Sequence, residues 1–256
     1  MNALFIMISA ALAAPLRIAA LHDTGPLQDQ SGQCGDRLCR LEGWMQVAAA
    51  KEVQVLVAPE YVLQLSTAAG PLAAGAPPPS GHVLSPLAEA AARHQLSLVL
   101  ALWLRDSDGR QRNAQVVLGP DGTVQAIHHK VELFSGEREW ATPGTDLSVV
   151  ELHGHTVGLM ICADLYAAPA LHAHLVDTLG AELVLVSAEW TAAGARRWGA
   201  AFAHDWGVPV VFANTGDGMG VGSGIYDRLG QPLAESRASA TELLVVDLPL
   251  GAVKSP

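Results

Sequence analysis

Short apolar runs rich in Val, Ile and Leu recur along nearly the whole chain, and their alternation with helical patterns constrains the fold more than any other feature. The runs are PLRIAAL, VQVLVAP, LSLVLALWL, AQVVLGP, TVQAIHH, LSVVEL, HTVGLMI, AELVLVSA, VPVVFAN, SGIYDRLG and TELLVVDL, and they read as strands. Between some of them lie DRLCRLEGWMQVAAAKE, SPLAEAAARH, APALHAHLVDTLGA and TAAGARRWGAAFAHDWG, which read as helices; in the second, Ser85 fits an N-cap and Pro86 the first helical position. Such an order predicts βαβ units and a mainly parallel sheet. Pro120-Asp121-Gly122 and His153-Gly154-His155 instead join strands directly, as hairpin turns. Strand pairs without an intervening helix do not all fit one doubly wound sheet, so the expected architecture is a four-layer α-β-β-α sandwich. AAGAPPPSG reads as a surface loop too short to link domains, and residues 15–256 as one domain.

Composition narrows the function. A chain of 256 residues that is 50% hydrophobic can bury a large core, while a net charge of -10 with 15 Lys and Arg opposes binding to a phosphate backbone. Nucleic acid is therefore not an expected partner. No apolar run is long enough for an integral membrane span. Residues 1–14, MNALFIMISAALAA, end in a small-x-small pattern, Ala11-Leu12-Ala13, that resembles a signal-peptidase site but has no Lys or Arg before it. They read as a signal peptide, which implies a periplasmic or secreted protein, or as an apolar extension of a cytoplasmic one. Cys34 and Cys39 suit a short disulfide loop in the first case; in the second they are reduced thiols, with Cys39 on the inward face of its helix.

Three strand patterns end in reactive side chains: VQVLVAPE in Glu60, TVQAIHHK in Lys130 and HTVGLMIC in Cys162. Carboxyl ends of parallel strands gather at one rim, where ligands bind. Together these groups suit acyl transfer: the carboxylate accepts the thiol proton, and the ammonium stabilises both the thiolate and the oxyanion formed when sulfur attacks a carbonyl or nitrile carbon. A low-pKa, accessible thiolate at Cys162 should outpace the other thiols in reaction with iodoacetamide.

The segments LVAPEY, HHKVELFSGERE with its following TPG, and GLMICADLY resemble the carbon-nitrogen hydrolase (nitrilase) superfamily, as does VPVVFANTGDGMGVGSGIYDRLGQPL nearer the C-terminus. The resemblance implies a nitrilase-like fold, Cys162 as nucleophile, Glu60 as general base, and Lys130 with the Ala163 N–H as oxyanion donors. It implies no metal or organic cofactor, and a homo-oligomer. A further glutamate beside the lysine is implied too; Gly136-Glu137 fits it best, and Glu139 competes. Trp190 in SAEWTAAGARRW is implied as a pocket residue or, failing that, ordinary core; Ser187 and Glu189 are weaker candidates.

The sequence departs from the amidase pattern after Cys162, where Ala163-Asp164-Leu165-Tyr166 keeps the aspartate but lacks the arginine that commonly follows. Ala163, in place of a tryptophan frequent in nitrile hydrolysers, favours amides. The expected function is hydrolysis of a small amide, with a nitrile hydrolase, an N-acyltransferase or a catalytically silent binding domain as alternatives. The glycine run GDGMGVGSG does not fit a phosphate loop, because a strand follows it instead of a helix. The histidine pairs 128/129, 153/155 and 172/174 read as surface residues, not metal ligands.

Overall fold

The computed structural model describes residues 14–23, 37–63, 81–190, 196–215, 222–236 and 240–250. The apolar N-terminus to residue 13, Cys34, the AAGAPPPSG loop to residue 80 and residues 216–221 of the glycine run lie outside them. Two six-stranded sheets form the centre. The first contains β1 (Leu16–His22), β2 (Val55–Glu60), β3 (Ser97–Arg105), β4 (Gln111–Leu118), β5 (Val124–His129) and β12 (Glu242–Leu248), in the order β12-β1-β2-β3-β4-β5. The second contains β6 (Ser148–Leu152), β7 (His155–Ile161), β8 (Leu183–Ala188), β9 (Val210–Asn214), β10 (Gly224–Tyr226) and β11 (Pro232–Glu235), in the order β11-β10-β9-β8-β7-β6. Each has a parallel centre, β1-β2-β3 or β7-β8-β9, extended by antiparallel strands.

Three layers of apolar contact hold this arrangement. Val57, Val99, Val117, Leu159, Leu185 and Val211 meet between the sheets. On the outside of the first sheet, α1 (Arg37–Ala50) and α2 (Gly81–His94) bury Leu41, Met45, Leu87 and Ala91. Beyond the second, α3 (Pro169–Ala173), the π-helical turn that continues it (His174–Thr178) and α4 (Arg196–Trp206) bury Leu175, Val176, Phe202 and Ala203. The result is the α-β-β-α sandwich that the direct strand hairpins required.

Several local expectations are corrected. Helix α2 begins at Gly81, which leaves Pro86 inside it as the sixth residue, where its missing N–H costs the helix one backbone hydrogen bond. Cys39 lies on the exposed side of α1, not its inward face, and is disulfide-bonded. Strand β11 is an added edge strand, legible only as the short run after the Asp227–Gln231 turn. Among the described residues no helix is long and apolar enough to cross a membrane.

Two features of the sheets set the rim. Pro59 has no N–H to give, and the β2–β3 register shifts between Val57 and Glu60, which turns Glu60 into the interior. β3, β4 and β5 are joined antiparallel, so β5 ends at the same rim as β2. There, Gly144 donates its N–H to the Lys130 carbonyl at 2.8 Å, and a β-carbon on it would stand 2.3 Å from the His129 carbonyl oxygen. Only glycine permits that approach. Gly144→Ala should therefore destabilise the fold by about 1–3 kcal/mol, the usual cost of overpacking, measured by urea unfolding.

Candidate active site

Lys130 directly follows β5 and is 1% exposed, so its ammonium is removed from water. Its Nζ donates to Glu60 Oε1 at 2.8 Å and to Glu137 Oε1 at 2.9 Å, and Glu137 Oε2 also lies 2.8 Å away. Three strand spacings separate β2 from β5, about 14 Å, and the Lys130 and Glu60 side chains reach towards each other across β3 and β4 to close that gap. Glu137 comes from the 3-10 turn Ser135–Glu139, where its Oε2 accepts the Phe134 N–H at 2.7 Å. Glu139, two residues on, is exposed. Of the two competing glutamates, Glu137 is thus the one beside the lysine.

Two further side chains complete this polar cluster. Asn113 Nδ2, from β4, reaches Glu60 Oε1 at 2.7 Å and Glu137 Oε1 at 2.6 Å; the Tyr61 hydroxyl donates to Glu137 Oε1 at 2.5 Å. Neither was singled out from sequence. The available signals were the polar residues Asn113 and Gln115 inside the otherwise apolar end of QRNAQVVL, and the tyrosine adjacent to Glu60. Tyr61 itself has a left-handed backbone, φ 54°, at the turn that ends β2.

Cys162 follows β7 with φ 45° and opens the 3-10 turn Cys162–Tyr166. This sharp change of direction after a strand presents its side chain at the rim, where the thiol is buried and free. It lies beside Glu60, in the fields of Glu60, Lys130 and Glu137. The structure thus gathers Glu60, Lys130, Glu137 and Cys162. Ala163 is the buried next residue of the turn.

The electrostatics correct one expectation. Burial pushes the Cys162 thiol well above its ordinary range, Glu60 and Glu137 push it further, and Lys130 alone opposes them. The resting group is a thiol, not a preformed thiolate. Burial likewise raises Glu60, against the opposing pull of Lys130. For Lys130, burial lowers the pKa but the charges and hydrogen bonds of Glu60 and Glu137 outweigh it, so the ammonium is held above its ordinary range. Two carboxylates are what makes this buried cation tolerable.

Trp190 follows Glu189, whose N–H donates to Glu60 Oε2 at 3.0 Å. Its backbone is pinned from both sides by the Asn214 amide, and its ring packs edge-on against Tyr166 with centroids 5.1 Å apart. Tyr166 is half exposed and ends the turn that Cys162 opens, and Trp190 packs against the apolar cluster that includes Cys162. Ser187, by contrast, is buried between the sheets. It donates to the Ala58 carbonyl and accepts from Gln115 Nε2, pinning β2, β4 and β8 together below the site.

Three of the six paired histidines are not surface residues. His128, His155 and His172 are buried, and each has a partner outside its own pair: Asp164 Oδ2, Glu182 Oε2 and the Asp164 carbonyl. Those partners satisfy the rings, which is what the sequence pairs could not reveal. Among the described residues no group of three metal-ligating side chains comes together.

Comparison with known proteins agrees with this fold. Hydrolase MT0498 of Mycobacterium tuberculosis (strain CDC 1551 / Oshkosh) is 30% identical over 150 residues, 56% of this chain and 52% of that protein; the chain spans about half the length of this relative. A mutant of the amidase of Nesterenkonia AN1 from the nitrilase superfamily, its cysteine replaced by alanine, superposes with TM-score 0.77 at 24% identity, covering 92% of this chain and 91% of that one. The same amidase in complex with butyramide gives TM-score 0.78 at 23% identity, with 92% of each chain covered. At that identity these structures bear on the fold alone. The sequence profile of the carbon-nitrogen hydrolase family matches residues 18–255, nearly the whole chain, and the chain belongs to the carbon-nitrogen hydrolase family.

Proposed function

We propose that this chain is a thiol-dependent hydrolase of a small non-peptide amide, working through a thioester on Cys162. The observation that carries the reading is the water-excluded lysine between two carboxylates, with a free, buried thiol in the field of all three. Family membership supports it, as does the amidase described in a form with the acetamide moiety of fluoroacetamide added at its active-site cysteine.

The steps follow from where the protons lie. Glu60 takes the Cys162 proton as sulfur attacks the carbonyl carbon, so base and nucleophile act together. Negative charge then develops on the carbonyl oxygen, where Lys130 Nζ and the Ala163 N–H serve as donors. Glu60 returns its proton to the departing nitrogen, the C–N bond breaks, and a thioester remains. Water, deprotonated by Glu60, adds to the thioester carbon; sulfur leaves, regains a proton, and the carboxylic acid is released. Glu137 holds Lys130 in place throughout and supplies the second compensating charge. Trp190 and Tyr166 form an aromatic wall beside the acyl group.

The reading requires that removing the sulfur stop turnover while the fold survives. Cys162→Ala should leave no measurable hydrolysis in a screen of small amides and nitriles, with an unfolding midpoint within about 2 °C of the parent. Persistent hydrolysis in that variant would refute the nucleophile. A pH dependence follows as well. Glu60 must be ionised to act as a base and its folded pKa is raised, so activity is full above that pKa and is lost as pH falls through it. The acid limb of kcat/KM should therefore lie above the ordinary glutamate value of about 4.3. A limb at or below that value would contradict the assignment of the base.

A further inference from the structure

Asp164 is 0% exposed, two residues beyond Cys162, and no step above uses it. Its two oxygens are fully engaged. Oδ1 accepts the backbone N–H groups of Val131 and Glu132, each at 2.9 Å; these residues directly follow Lys130. Oδ2 accepts the Ile161 N–H at 2.9 Å, from the residue directly before Cys162, and His128 Nε2 at 2.9 Å, two residues before Lys130. A single carboxylate thus binds the chain on both sides of Lys130 and immediately before Cys162. His172 Nε2 meets the Asp164 carbonyl oxygen at 2.8 Å, which fixes the backbone of the same residue from the α3 side.

The chemistry explains why a carboxylate stands here. Four N–H groups converge on it, and an ionised carboxylate is the side chain that only accepts and has room for about four such bonds. An amide keeps one accepting oxygen, and its NH₂ group would face the donors on the other side. His128 has freedom to change its tautomer; the Ile161 N–H has none. Lys130 is anchored by its side chain to the first sheet, and Cys162 belongs to the second, so their relative position depends on whatever bridges the two loops.

We propose that Asp164 is a positioning residue whose carboxylate, steadied by His128, clamps the segment carrying Lys130 to the turn carrying Cys162. This rests on the reading of Cys162 as nucleophile and Lys130 as its cation. Displacement of reacting groups by about 1 Å costs on the order of a hundredfold in rate, so the clamp acts on kcat more than on substrate binding.

The test uses the full chain with Asp164→Asn, and His128→Leu as a second variant should the first fail to fold. Two quantities are measured on protein shown by near-UV circular dichroism to be native. The first is the alkylation rate of Cys162 by iodoacetamide at fixed pH, followed by peptide mass spectrometry. The second is kcat and KM for any amide the parent hydrolyses. Loss of alignment with Glu60 predicts slower alkylation, roughly tenfold in Asp164→Asn, and a kcat lowered roughly 10- to 100-fold with KM within about threefold. His128→Leu should show the same signs, and His128→Gln, which keeps a donor toward Asp164, should recover most of both rates. A residue that only stabilises the fold would leave alkylation unchanged, or speed it by opening the buried thiol, and that outcome overturns the proposal. If the parent hydrolyses no amide while alkylation still slows in Asp164→Asn, the positioning role stands and the amidase reading falls.

Discussion

The ion cluster of Lys130 with Glu60 and Glu137 is the interaction on which the rest of the structure depends. A lysine ammonium removed from water carries a desolvation cost of several kcal/mol, offset only by well-placed opposite charge and complete hydrogen bonding. Both carboxylates lie within 2.9 Å of Nζ, and Asn113 joins them from a third strand. The bulge at Pro59, the 3-10 turn after Leu133-Phe134 and the close approach of Gly144 to β5 each bring one partner to this point. Loss of Lys130 would leave two buried carboxylates with no counter-charge, and loss of either carboxylate would strip the ammonium of a hydrogen-bond partner.

That cluster also decides how the cysteine works. With two carboxylates and one lysine nearby, local charge opposes a thiolate, and burial opposes it further. In the proposed reaction a thiol that stays protonated at rest gives its proton to Glu60 only as it attacks the substrate's carbonyl carbon. The lysine then matters most once negative charge reaches the substrate oxygen. In a dry site such preorganised charge is worth far more than in water.

The sequence disclosed the strand ends clearly, because Glu60, Lys130 and Cys162 each follow an apolar run that has no other reason to stop on a reactive group. The two direct hairpins at Pro120-Asp121-Gly122 and His153-Gly154-His155 made a second sheet necessary, and both are present. Contacts between distant segments were not legible. Asn113 and Tyr61 reveal their purpose only when β2, β4 and the Glu137 turn meet. His128 and His172 looked like surface residues because the partner that buries them, Asp164, is far along the chain from one and hidden in a turn from the other. Helix α2 begins earlier than Ser85-Pro86 suggested and carries the proline inside it. Cys39 faces outward and is disulfide-bonded, against its alternative reading as an inward-facing reduced thiol.

The central claim is that sulfur, base and cation act as one unit to form a bond between Cys162 and the acyl group. Its most direct test is to quench the protein with acid during turnover of a hydrolysed amide and weigh it intact, then locate any adduct by peptide mapping. The account predicts a mass increase equal to the acyl group of that amide, on the Cys162 peptide alone. Steady hydrolysis with no acyl adduct under rapid quench, or an adduct on another residue, would contradict it.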